Sequence, residues 1–588
     1  MSNNELFERA KNWASNPHVS ETDRKEIGEL LASNNEAELT ERFYRDLEFG
    51  TGGMRSILGA GSNRMNEYNI KKASQALANT VLKSHQSDER PKITISYDSR
   101  RFSLEFAKTA AGVFAANGID AYIYENMNPV ALLSFATRYK KASAGIMVTA
   151  SHNPPEYNGY KVFWDDGAQV TPPYDGMIIN YFNEINEASQ IKFLEFDEGV
   201  MKGKIFWMSN EVEDVYFKSL LNYAVNPDLC QKRGKELKVV YTPIHGAGLR
   251  SCTRALDELG LTNYLVVEEQ AKPDGDFPTV KSPNPENPEA LAMAVKLMEK
   301  ENADIAFGSD PDTDRLGVAL KYKGEINYLN GNQIGILMLH YILTNFKEQN
   351  RLPENAYFVK TIVTTPLQEK IAKSFGVECE NTLTGFKWIC GRVNEIEKTE
   401  PNRNFIFGTE ESFGYLNHGL ARDKDGVSSL TLMAEMTLWY KTQGLNLYDA
   451  LDKIYETYGF SHETLLCLDY EGKAGAEKIS RIMENFRNFE GNQFCGVEVS
   501  QIEDYKLGTT KNLKAKNEDK ITLPSSNVLG FKLLNGDIVY LRPSGTEPKI
   551  KFYIMVSENE GDLSSKKAKA NEKTEKILEY IKAEAEKA

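Results

Sequence analysis

The sequence predicts an α/β protein with three similar mixed-sheet α/β domains and a smaller α+β domain at the C-terminus. Its length of 588 residues suits three or four domains of ordinary size. Short apolar runs alternate with longer helical patterns along most of the chain, which is typical of largely parallel sheets with helical crossovers. After about residue 459 the strands become shorter, so the last domain is expected to differ. The predicted divisions are a helical N-terminal extension at 1–40 and domains at 41–215, 216–330, 331–458 and 459–588.

The N-terminal part is predicted to form short helices, with Ser20 and Asp23 as a capping pair, and no chemistry is assigned to it. Two glycine-rich stretches follow, at 49–55 and 59–64. The second stretch lacks the third glycine of a dinucleotide-binding loop, which disfavours a Rossmann site. The next predicted elements are a strand at 92–97, a helix at 105–117 and strands at 121–124 and 144–149.

The second and third domains are predicted from the same order of elements. The elements concerned are strands at 238–242 and 356–363, a glycine turn at 246–248 and a helix at 249–259. The chain ends in a charged helix predicted at 566–587. Its apolar residues Ile577, Tyr580 and Ile581 form one narrow face that is expected to be buried.

Ser151 follows the apolar strand at 144–149 and precedes a Pro-Pro pair at 154–155, which cannot continue a strand. The serine is therefore expected at the carboxyl end of a strand, where open α/β sheets bind their ligands. No glycine lies two residues to either side of it, which excludes the nucleophile elbow of a hydrolase. A serine before His152 and Asn153 could also simply begin a turn.

Asp310, Asp312 and Asp314 alternate in a loop that directly follows a predicted strand at 303–307. Aspartates at alternate positions of an extended loop can point to one side and offer hard oxygen ligands to Mg²⁺. A calcium-binding EF-hand is excluded, because its sixth and twelfth positions would here be arginine and lysine instead of glycine and glutamate. An acidic surface turn remains the alternative.

Two further loops carry side chains suited to a sugar phosphate. The stretch Gly-Thr-Glu-Glu-Ser-Phe-Gly at 408–414 offers carboxylates and hydroxyls, which match sugar hydroxyls that both donate and accept hydrogen bonds. It could also be the acidic N-terminus of a helix. The stretch Arg-Pro-Ser-Gly-Thr-Glu-Pro-Lys at 542–549 lies between predicted strands at 537–541 and 550–556. Its arginine, hydroxyls and glycine-freed amides would form an anion cradle.

The stretch Thr-Ala-Ser-His-Asn-Pro at 149–154, with Asn-Gly-Tyr-Lys at 158–161, closely resembles the active-serine loop of the α-D-phosphohexomutases, the phosphoglucomutase and phosphomannomutase superfamily. The other loops occur in the order of that family, and the resemblance covers residues 51 to about 551. The Gly-Thr-Gly-Gly-Met-Arg loop at 50–55, the Thr-Gly-Phe-Lys-Trp stretch at 384–388 and the N-terminal extension are most similar to phosphoglucomutases related to phosphopentomutase.

The resemblance implies four domains around a central cleft and the interconversion of glucose 1-phosphate and glucose 6-phosphate. Phospho-Ser151 would pass its phosphoryl group to the sugar monophosphate, and the glucose 1,6-bisphosphate would turn end for end before the other phosphate returns to the serine. Mg²⁺ would be held by Ser151 and the three aspartates, with Arg55 and Arg315 adding positive charge. Lys161 would accept the hydroxyl proton if neighbouring cations lower its pKa, and His152 is the second candidate.

The remaining residues that the resemblance implies read the sugar or grip its distal phosphate. The sugar-reading residues would be Thr384, Glu410, Ser412 and Lys424, and the phosphate-gripping residues would be Arg542, Ser544, Gly545 and Thr546. Many relatives carry a histidine or a second basic residue shortly before the Arg-x-Lys-Asp-Gly motif at 422–426. Here the nearby histidine is His418, and Leu420 and Ala421 follow it, so the choice of sugar stays open. The alternatives are another reaction on the same fold, namely phosphopentose or phosphomannose interconversion or bisphosphate synthesis, and non-catalytic sugar-phosphate binding. The intact serine and the complete aspartate triplet count against the non-catalytic alternative.

Composition limits the partners. The formal charge of −14 disfavours nucleic acid, and it requires a phosphate site to gather its own cations locally. The N-terminus has no apolar signal core, and the longest apolar run, at 334–343, is too short to span a bilayer. The six cysteines form no C-x-x-C pair, which predicts a reducing, cytoplasmic setting. We expect small sugar phosphates as partners, neither nucleic acid nor membrane, and a monomer or weak dimer.

Overall fold

The computed structural model describes residues 3–50, 52–470, 472–489, 491–544 and 549–588. These residues form four β-sheets in chain order, named here sheets I to IV. Sheets I to III combine parallel and antiparallel strand pairs, whereas the pairs of sheet IV are antiparallel. The predicted fold class, three mixed-sheet α/β units followed by a smaller α+β unit, is confirmed.

The N-terminal extension forms helices that pack as part of the first core. They are α1 (Asn3–Ala14), α2 (Glu21–Ala32) and α3 (Glu36–Phe43). Ser20 caps α2 as predicted, because its hydroxyl accepts a hydrogen bond from the Asp23 amide at 3.1 Å. Trp13 and Ile27 are buried in the same hydrophobic core as the strand residue Ile93. The extension therefore supports sheet I directly.

Sheet I carries Ser151. Its strands are β1 (Gly53–Ile57), β2 (Lys92–Tyr97), β3 (Asp120–Tyr124), β4 (Ala144–Val148), β5 (Tyr157–Trp164) and β6 (Ile205–Met208). Its helices are α4 (Glu67–Ser84), α5 (Ser103–Ala116), α6 (Val130–Tyr139), α7 (Tyr174–Glu184) and α8 (Phe196–Met201). The strand order is β1-β5-β4-β2-β3-β6, with β4, β2, β3 and β6 parallel. Every residue of β4 is buried, and Ser151 follows its carboxyl end.

Sheet II carries the three aspartates. Its helices are α9 (Asn210–Leu220), α10 (Pro227–Arg233), α11 (Gly248–Leu259), α12 (Glu268–Ala271) and α13 (Pro288–Glu301). Its strands are β7 (Val239–Thr242), β8 (Tyr264–Val266), β9 (Ile305–Ser309), β10 (Leu316–Tyr322) and β11 (Glu325–Leu329). The order is β11-β10-β9-β7-β8, and the aspartate loop connects β9 to the antiparallel β10.

Sheet III carries the 408–414 loop. Its helices are α14 (Gly331–Glu348), α15 (Pro366–Ser374), α16 (Phe386–Thr399), α17 (Gly426–Thr442) and α18 (Leu447–Tyr458). Its strands are β12 (Ala356–Thr361), β13 (Glu378–Thr382), β14 (Asn404–Glu410) and β15 (Gly414–Leu416). The order is β13-β12-β14-β15. The 408–414 loop turns β14 back into the antiparallel β15, so the alternative of a helix N-terminus is wrong.

Sheet IV forms the C-terminal unit. Its strands are β16 (Phe460–Asp469), β17 (Gln493–Phe494), β18 (Val497–Asp504), β19 (Thr509–Asn512), β20 (Asn517–Lys520), β21 (Leu529–Leu533), β22 (Ile538–Pro543) and β23 (Lys549–Glu558). Its helices are α19 (Gly472–Arg487) and α20 (Leu563–Glu586). The prediction for α20 began three residues too late, because the Asp562 side chain caps the helix through the Ser565 amide at 2.8 Å. Ile577 and Ile581 are buried as predicted.

The apolar run at 334–343 lies within α14, whose residues are largely buried in a core to which all four sheets contribute. Among the residues described, no helix combines the length and the apolar character that crossing a bilayer requires.

Candidate active site

Ser151 sits in a strained, buried loop at the carboxyl end of β4. Its backbone φ is 51°, a left-handed conformation that non-glycine residues rarely adopt. The hydroxyl donates to Asp310 Oδ2 at 2.7 Å and lies 3.1 Å from His152 Nδ1. The alternative of an ordinary turn does not account for a hydroxyl that reaches the loop of another sheet.

Asp310, Asp312 and Asp314 form a buried carboxylate cluster, with one oxygen of each within 4.8 Å of the others. Asp310 Oδ1 accepts hydrogen bonds from the Asp314 and Arg315 amides at 2.9 and 3.0 Å, which fixes the turn. Asp312 Oδ1 and Asp314 Oδ1 are buried and accept no hydrogen bond from the described residues. Burial of unsatisfied carboxylate oxygens is costly unless a cation compensates it. The alternative of an acidic surface turn is therefore wrong, and the donor set fits a hard divalent cation such as Mg²⁺.

Backbone hydrogen bonds from three sheet units hold the aspartate loop. The Val130 amide of sheet I donates to Asp312 O at 3.0 Å. The Ala247 amide of sheet II donates to Pro311 O at 2.9 Å. The Gly426 amide of sheet III donates to Thr313 O at 3.0 Å. The loop thus lies at the junction of the three α/β units, and its position depends on all of them.

Lys161 and Lys424 lie against the carboxylates. Lys161 Nζ is 2.7 Å from Asp312 Oδ2 and 3.4 Å from Asp314 Oδ2. Lys424 Nζ is 3.0 Å from Asp314 Oδ2 and 3.6 Å from Glu410 Oε1. Burial opposes the charge on Lys161, but the carboxylates of Asp312 and Asp314 raise its pKa above the ordinary value. The prediction made a lowered pKa the condition for Lys161 to act as a base, and the ion pairs produce the opposite shift.

His152 has the opposite electrostatic environment. Burial lowers its pKa well below 6.5, and the cations Arg315, Arg55 and Lys424 lower it further. The imidazole is therefore neutral at pH 7, and the same environment makes it a weak base.

The predicted phosphate-facing arginines approach from two sheets. Arg55 on β1 donates to Asn153 Oδ1 at 2.9 Å. Arg315 forms an ion pair with Glu286, which the sequence did not indicate as a partner. Burial lowers the pKa of Arg315 to about 10. Both guanidinium groups lie close enough to His152 to depress its pKa, so they share one site with Ser151.

The predicted sugar-reading residues cluster at the ends of β14 and β13. Glu410 is buried beside Lys424, and Ser412 is partly exposed in the turn to β15. Glu411 points away from them, because its carboxylate accepts hydrogen bonds from Thr361 at 3.0 Å and Thr364 at 3.3 Å. A further predicted residue is Thr384, whose buried hydroxyl has no hydrogen-bond partner among the described residues.

The predicted phosphate-gripping loop joins β22 to β23. Arg542 lies opposite Lys551 in the register, and the Ser544 amide donates to Lys549 O at 2.8 Å. Gly545 and Thr546 lie outside the described residues. Burial raises the pKa of Tyr553, with Glu411 adding to the shift and Arg542 opposing it. Tyr553 is therefore within electrostatic reach of both loops, which puts the sheet IV hairpin near the sugar-reading loop.

The sequence prediction did not name Lys551 as a site residue, and the structure settles the direction of two residues near the sugar-reading loop. Lys551 is partly buried beside Arg542, and burial lowers its pKa. The sequence could have indicated it, because it is a basic residue just beyond the predicted anion-binding loop. Arg422, two residues before the predicted sugar-reading residue Lys424, turns toward α16, where Nε donates to Asn394 Oδ1 at 2.6 Å. His418 is fully buried and hydrogen-bonds to Asp425 at 2.8 Å, so it does not face the site.

Three family models match the chain. They are described as phosphoglucomutase/phosphomannomutase α/β/α domains I, II and III and cover residues 46–189, 214–324 and 330–458. A Staphylococcus saprophyticus phosphoglucomutase is 35% identical over 546 residues, covering 93% of this chain and 97% of the relative. A phosphoglucomutase of Staphylococcus aureus is 36% identical over 532 residues, covering 90% of this chain and 93% of the relative.

Solved structures show the same fold. A putative phosphomannomutase from Thermus thermophilus has a TM-score of 0.64 at 20% identity, covering 90% of this chain and 99% of that chain. The Paramecium phosphoprotein pp63/parafusin, a phosphoglucomutase, has a TM-score of 0.66 at 16% identity, covering 92% of this chain and 96% of that chain.

Proposed function

Because this chain belongs to the phosphoglucomutase/phosphomannomutase family, we propose that it interconverts glucose 1-phosphate and glucose 6-phosphate through a phosphoserine at Ser151. One observation carries the assignment to this residue: the Ser151 hydroxyl lies 2.7 Å from a carboxylate of the buried aspartate cluster. A phosphoryl group on that oxygen would stand beside the ligands that a divalent cation prefers. Glucose is favoured as the sugar because the relatives that match over most of the chain are named phosphoglucomutases.

The reaction is two phosphoryl transfers in opposite directions. In the first, the free hydroxyl of a sugar monophosphate attacks the phosphorus of phospho-Ser151; the sugar O–P bond forms and the P–Oγ bond breaks. The glucose 1,6-bisphosphate then turns within the site, and the Ser151 oxygen attacks its other phosphate. A new P–Oγ bond forms and the bond from that phosphorus to the sugar oxygen breaks, so that the isomeric monophosphate leaves with its oxygen reprotonated. Such transfers depend mainly on alignment and on neutralising charge at the phosphoryl oxygens.

Different groups of side chains would bind the metal, the sugar and the distal phosphate. Asp310, Asp312, Asp314 and the serine would hold Mg²⁺, which supplies positive charge to the phosphoryl oxygens when it is bound. Arg55 and Arg315 add fixed positive charge. Glu410, Ser412, Thr384 and Lys424 would hydrogen-bond to the sugar, and Arg542, Ser544, Gly545 and Thr546 would bind the phosphate that is not reacting. Lys551 extends this basic region.

We propose two candidates for the proton acceptor. His152 is neutral and 3.1 Å from the serine oxygen. Lys161 is protonated while it pairs with Asp312, so it can accept a proton only when that ion pair is broken. The pH dependence of kcat in His152→Gln and Lys161→Met separates them. The variant that lacks the proton acceptor should lose the fall in kcat at low pH. If both variants keep that fall, neither residue is the acceptor.

The function is tested by assaying the purified protein with glucose 1-phosphate, mannose 1-phosphate and ribose 1-phosphate, each with glucose 1,6-bisphosphate. We expect the highest kcat/KM for glucose 1-phosphate. A higher value for mannose or ribose would reassign the sugar, and tight binding without turnover would indicate a sugar-phosphate-binding protein. In the same assay Ser151→Ala should reduce turnover to background. Ser143→Ala is the matched control and should keep the wild-type turnover, because Ser143 precedes the opposite end of β4.

The six cysteines are free. This supports, as a further part of the proposal, a reducing cytoplasmic setting. The proposed ligands are small sugar phosphates, and the proposal of a monomer or weak dimer is checked by light scattering.

A further inference from the structure

Arg100 lies beneath the Ser151 loop and binds four of its carbonyl oxygens. Nη1 donates to Pro154 O and Tyr157 O at 2.9 Å each, and Nη2 donates to Ser151 O at 2.5 Å and also to Asn153 O. Arg100 is 3% exposed. Four carbonyl dipoles that converge on one point repel each other, so the loop requires a cation at its centre. Only the planar fork of arginine offers several donors in fixed directions.

Asp98 completes the support from below. It is 2% exposed, and Oδ2 lies 3.5 Å from Arg100 Nε, so the buried guanidinium has a counter-charge. Asp98 also accepts hydrogen bonds from Ser103 Oγ at 2.7 Å and Thr149 Oγ1 at 2.6 Å. Thr149 Oγ1 in turn accepts the Ser151 amide hydrogen at 2.8 Å. Asp98 is thus linked to Ser151 through both the threonine and the arginine.

Residues 275–282, which belong to the sheet II unit, pack against Arg100 and the serine loop from the other side. The Phe277 ring lies 5.0 Å from the Arg100 guanidinium carbon, and Ser282 Oγ donates to His152 O at 2.7 Å. A Cβ at Gly275 would lie 2.5 Å from the Arg101 amide nitrogen, so the segment packs closely against the chain that carries Arg100. The guanidinium cannot leave without displacing this segment.

We propose that Arg100 and Asp98 are positioning residues that hold Ser151 in its left-handed, reactive conformation, a role that rests on the proposed phosphoryl transfer at Ser151. The strained φ of 51° persists only if the surroundings over-determine it. The hydrogen bonds from Arg100 to the four carbonyl oxygens and the hydrogen bond from the Ser151 amide to Thr149 Oγ1 provide that constraint on both sides of the serine. Both residues are almost fully buried and contact the serine loop through its carbonyl oxygens and through Thr149, so both act through the loop.

The test uses Arg100→Lys, which keeps the charge opposite Asp98 but lacks the fork, and Thr149→Val, which keeps the shape but removes the bridging hydroxyl. We expect kcat to fall about 10- to 100-fold in Arg100→Lys with KM nearly unchanged, because small misplacements of a reacting group have effects of this size. Thr149→Val should show the same kind of change to a smaller extent. Transfer from glucose 1,6-bisphosphate to the dephosphorylated serine should slow in parallel.

Amide hydrogen exchange of residues 149–157, measured without any sugar phosphate, tests the support independently of the activity. Exchange there should accelerate in both variants, while exchange in α4 stays unchanged. Arg351→Lys is the control, because Arg351 donates to the carbonyl oxygens of Ala224 and Val225 outside the site. It should keep the wild-type kcat and the wild-type exchange at 149–157.

Wild-type exchange at 149–157 in folded Arg100→Lys or Thr149→Val would overturn the proposal, as would a wild-type kcat in Arg100→Lys. If the wild-type protein has no mutase activity, the proposed function fails, but the exchange measurement still decides whether the support exists. If Arg100→Lys does not fold, Thr149→Val decides by both measurements.

Discussion

Glu435 on α17 gives this protein a pH-dependent stability that can be isolated by one substitution. The side chain is 1% exposed and accepts hydrogen bonds from Tyr341 Oη at 2.8 Å, from the Val225 amide at 3.3 Å and from the Asn226 amide. Burial raises its pKa from 4.5 to about 7, although these donors oppose the shift. The folded protein therefore keeps a proton on Glu435 at pH values at which the unfolded chain has released it.

The sign follows from proton binding. Between pH 4.5 and about 7 the folded state binds one more proton than the unfolded state, so the free energy of unfolding falls as the pH rises through this window. Below 4.5 both states are protonated, and above about 7 both are ionised, so the contribution is constant there. The difference between the two pKa values corresponds to about 3 kcal/mol.

Glu435→Gln removes the titration and keeps a neutral group with an acceptor oxygen. Melting temperatures of both proteins are measured from pH 4.5 to 8, and only their difference is used, so that other titrating groups cancel. The wild type should lose several degrees relative to the variant as the pH rises, since about 1 kcal/mol changes Tm by roughly 2–4 °C in a unit of 150–250 residues. Parallel curves would refute the reasoning, and so would a wild type that gains stability relative to the variant as the pH rises.

Three predictions concern the site itself. Ser151→Ala should fold normally, carry no phosphate on that peptide by mass spectrometry and reduce turnover to background; an active variant would end the phosphoserine mechanism. Asp312→Asn should abolish most turnover and the rise in Tm on adding Mg²⁺, with little change in the metal-free Tm; full activity of chelator-treated wild type would contradict this. Arg542→Ala should mainly raise KM about ten- to hundred-fold for every sugar phosphate, whereas Glu410→Gln should change the ratio of kcat/KM between sugars; the reverse pattern would exchange the roles of the two loops.

The strands that carry the main site residues could be predicted because all of these residues follow one rule about the carboxyl ends of strands. Ser151, Asp310 and Glu410 lie at or just beyond the carboxyl ends of β4, β9 and β14, and each of these strands pairs in parallel with a neighbour. Apolar runs reveal such strands, and the carboxyl ends of parallel strands meet at one edge of a sheet. The rule places each group at the edge of its own sheet, whereas the contact of Asp310 with Ser151 joins two sheets and depends on how they pack together.

The direction of individual side chains could not be predicted in this way. Arg315 pairs with Glu286, 29 residues earlier, and Arg422 turns toward α16 although Lys424, two residues later, lies against Asp314. Both outcomes depend on loop paths and on burial that sequence periodicity does not encode. Asp98 and Arg100 are a different case, because they directly follow β2. The strand-end rule that indicated Ser151 applies equally to them, so their signal was present and not used.

The junction of the three α/β units explains why so many loops must be in place at once. The strained residue Thr313, with φ 54°, accepts a hydrogen bond from the Gly426 amide at 3.0 Å. A Cβ at Gly426 would lie 2.5 Å from Thr313 O, so the contact closes only with glycine. Gly426 begins α17 and stands two residues after Lys424, whose ammonium reaches Asp314 at 3.0 Å. Sheet III therefore fixes the aspartate loop through its backbone and neutralises it through the lysine, so a shift at this junction must disturb the position and the charge of the carboxylates together.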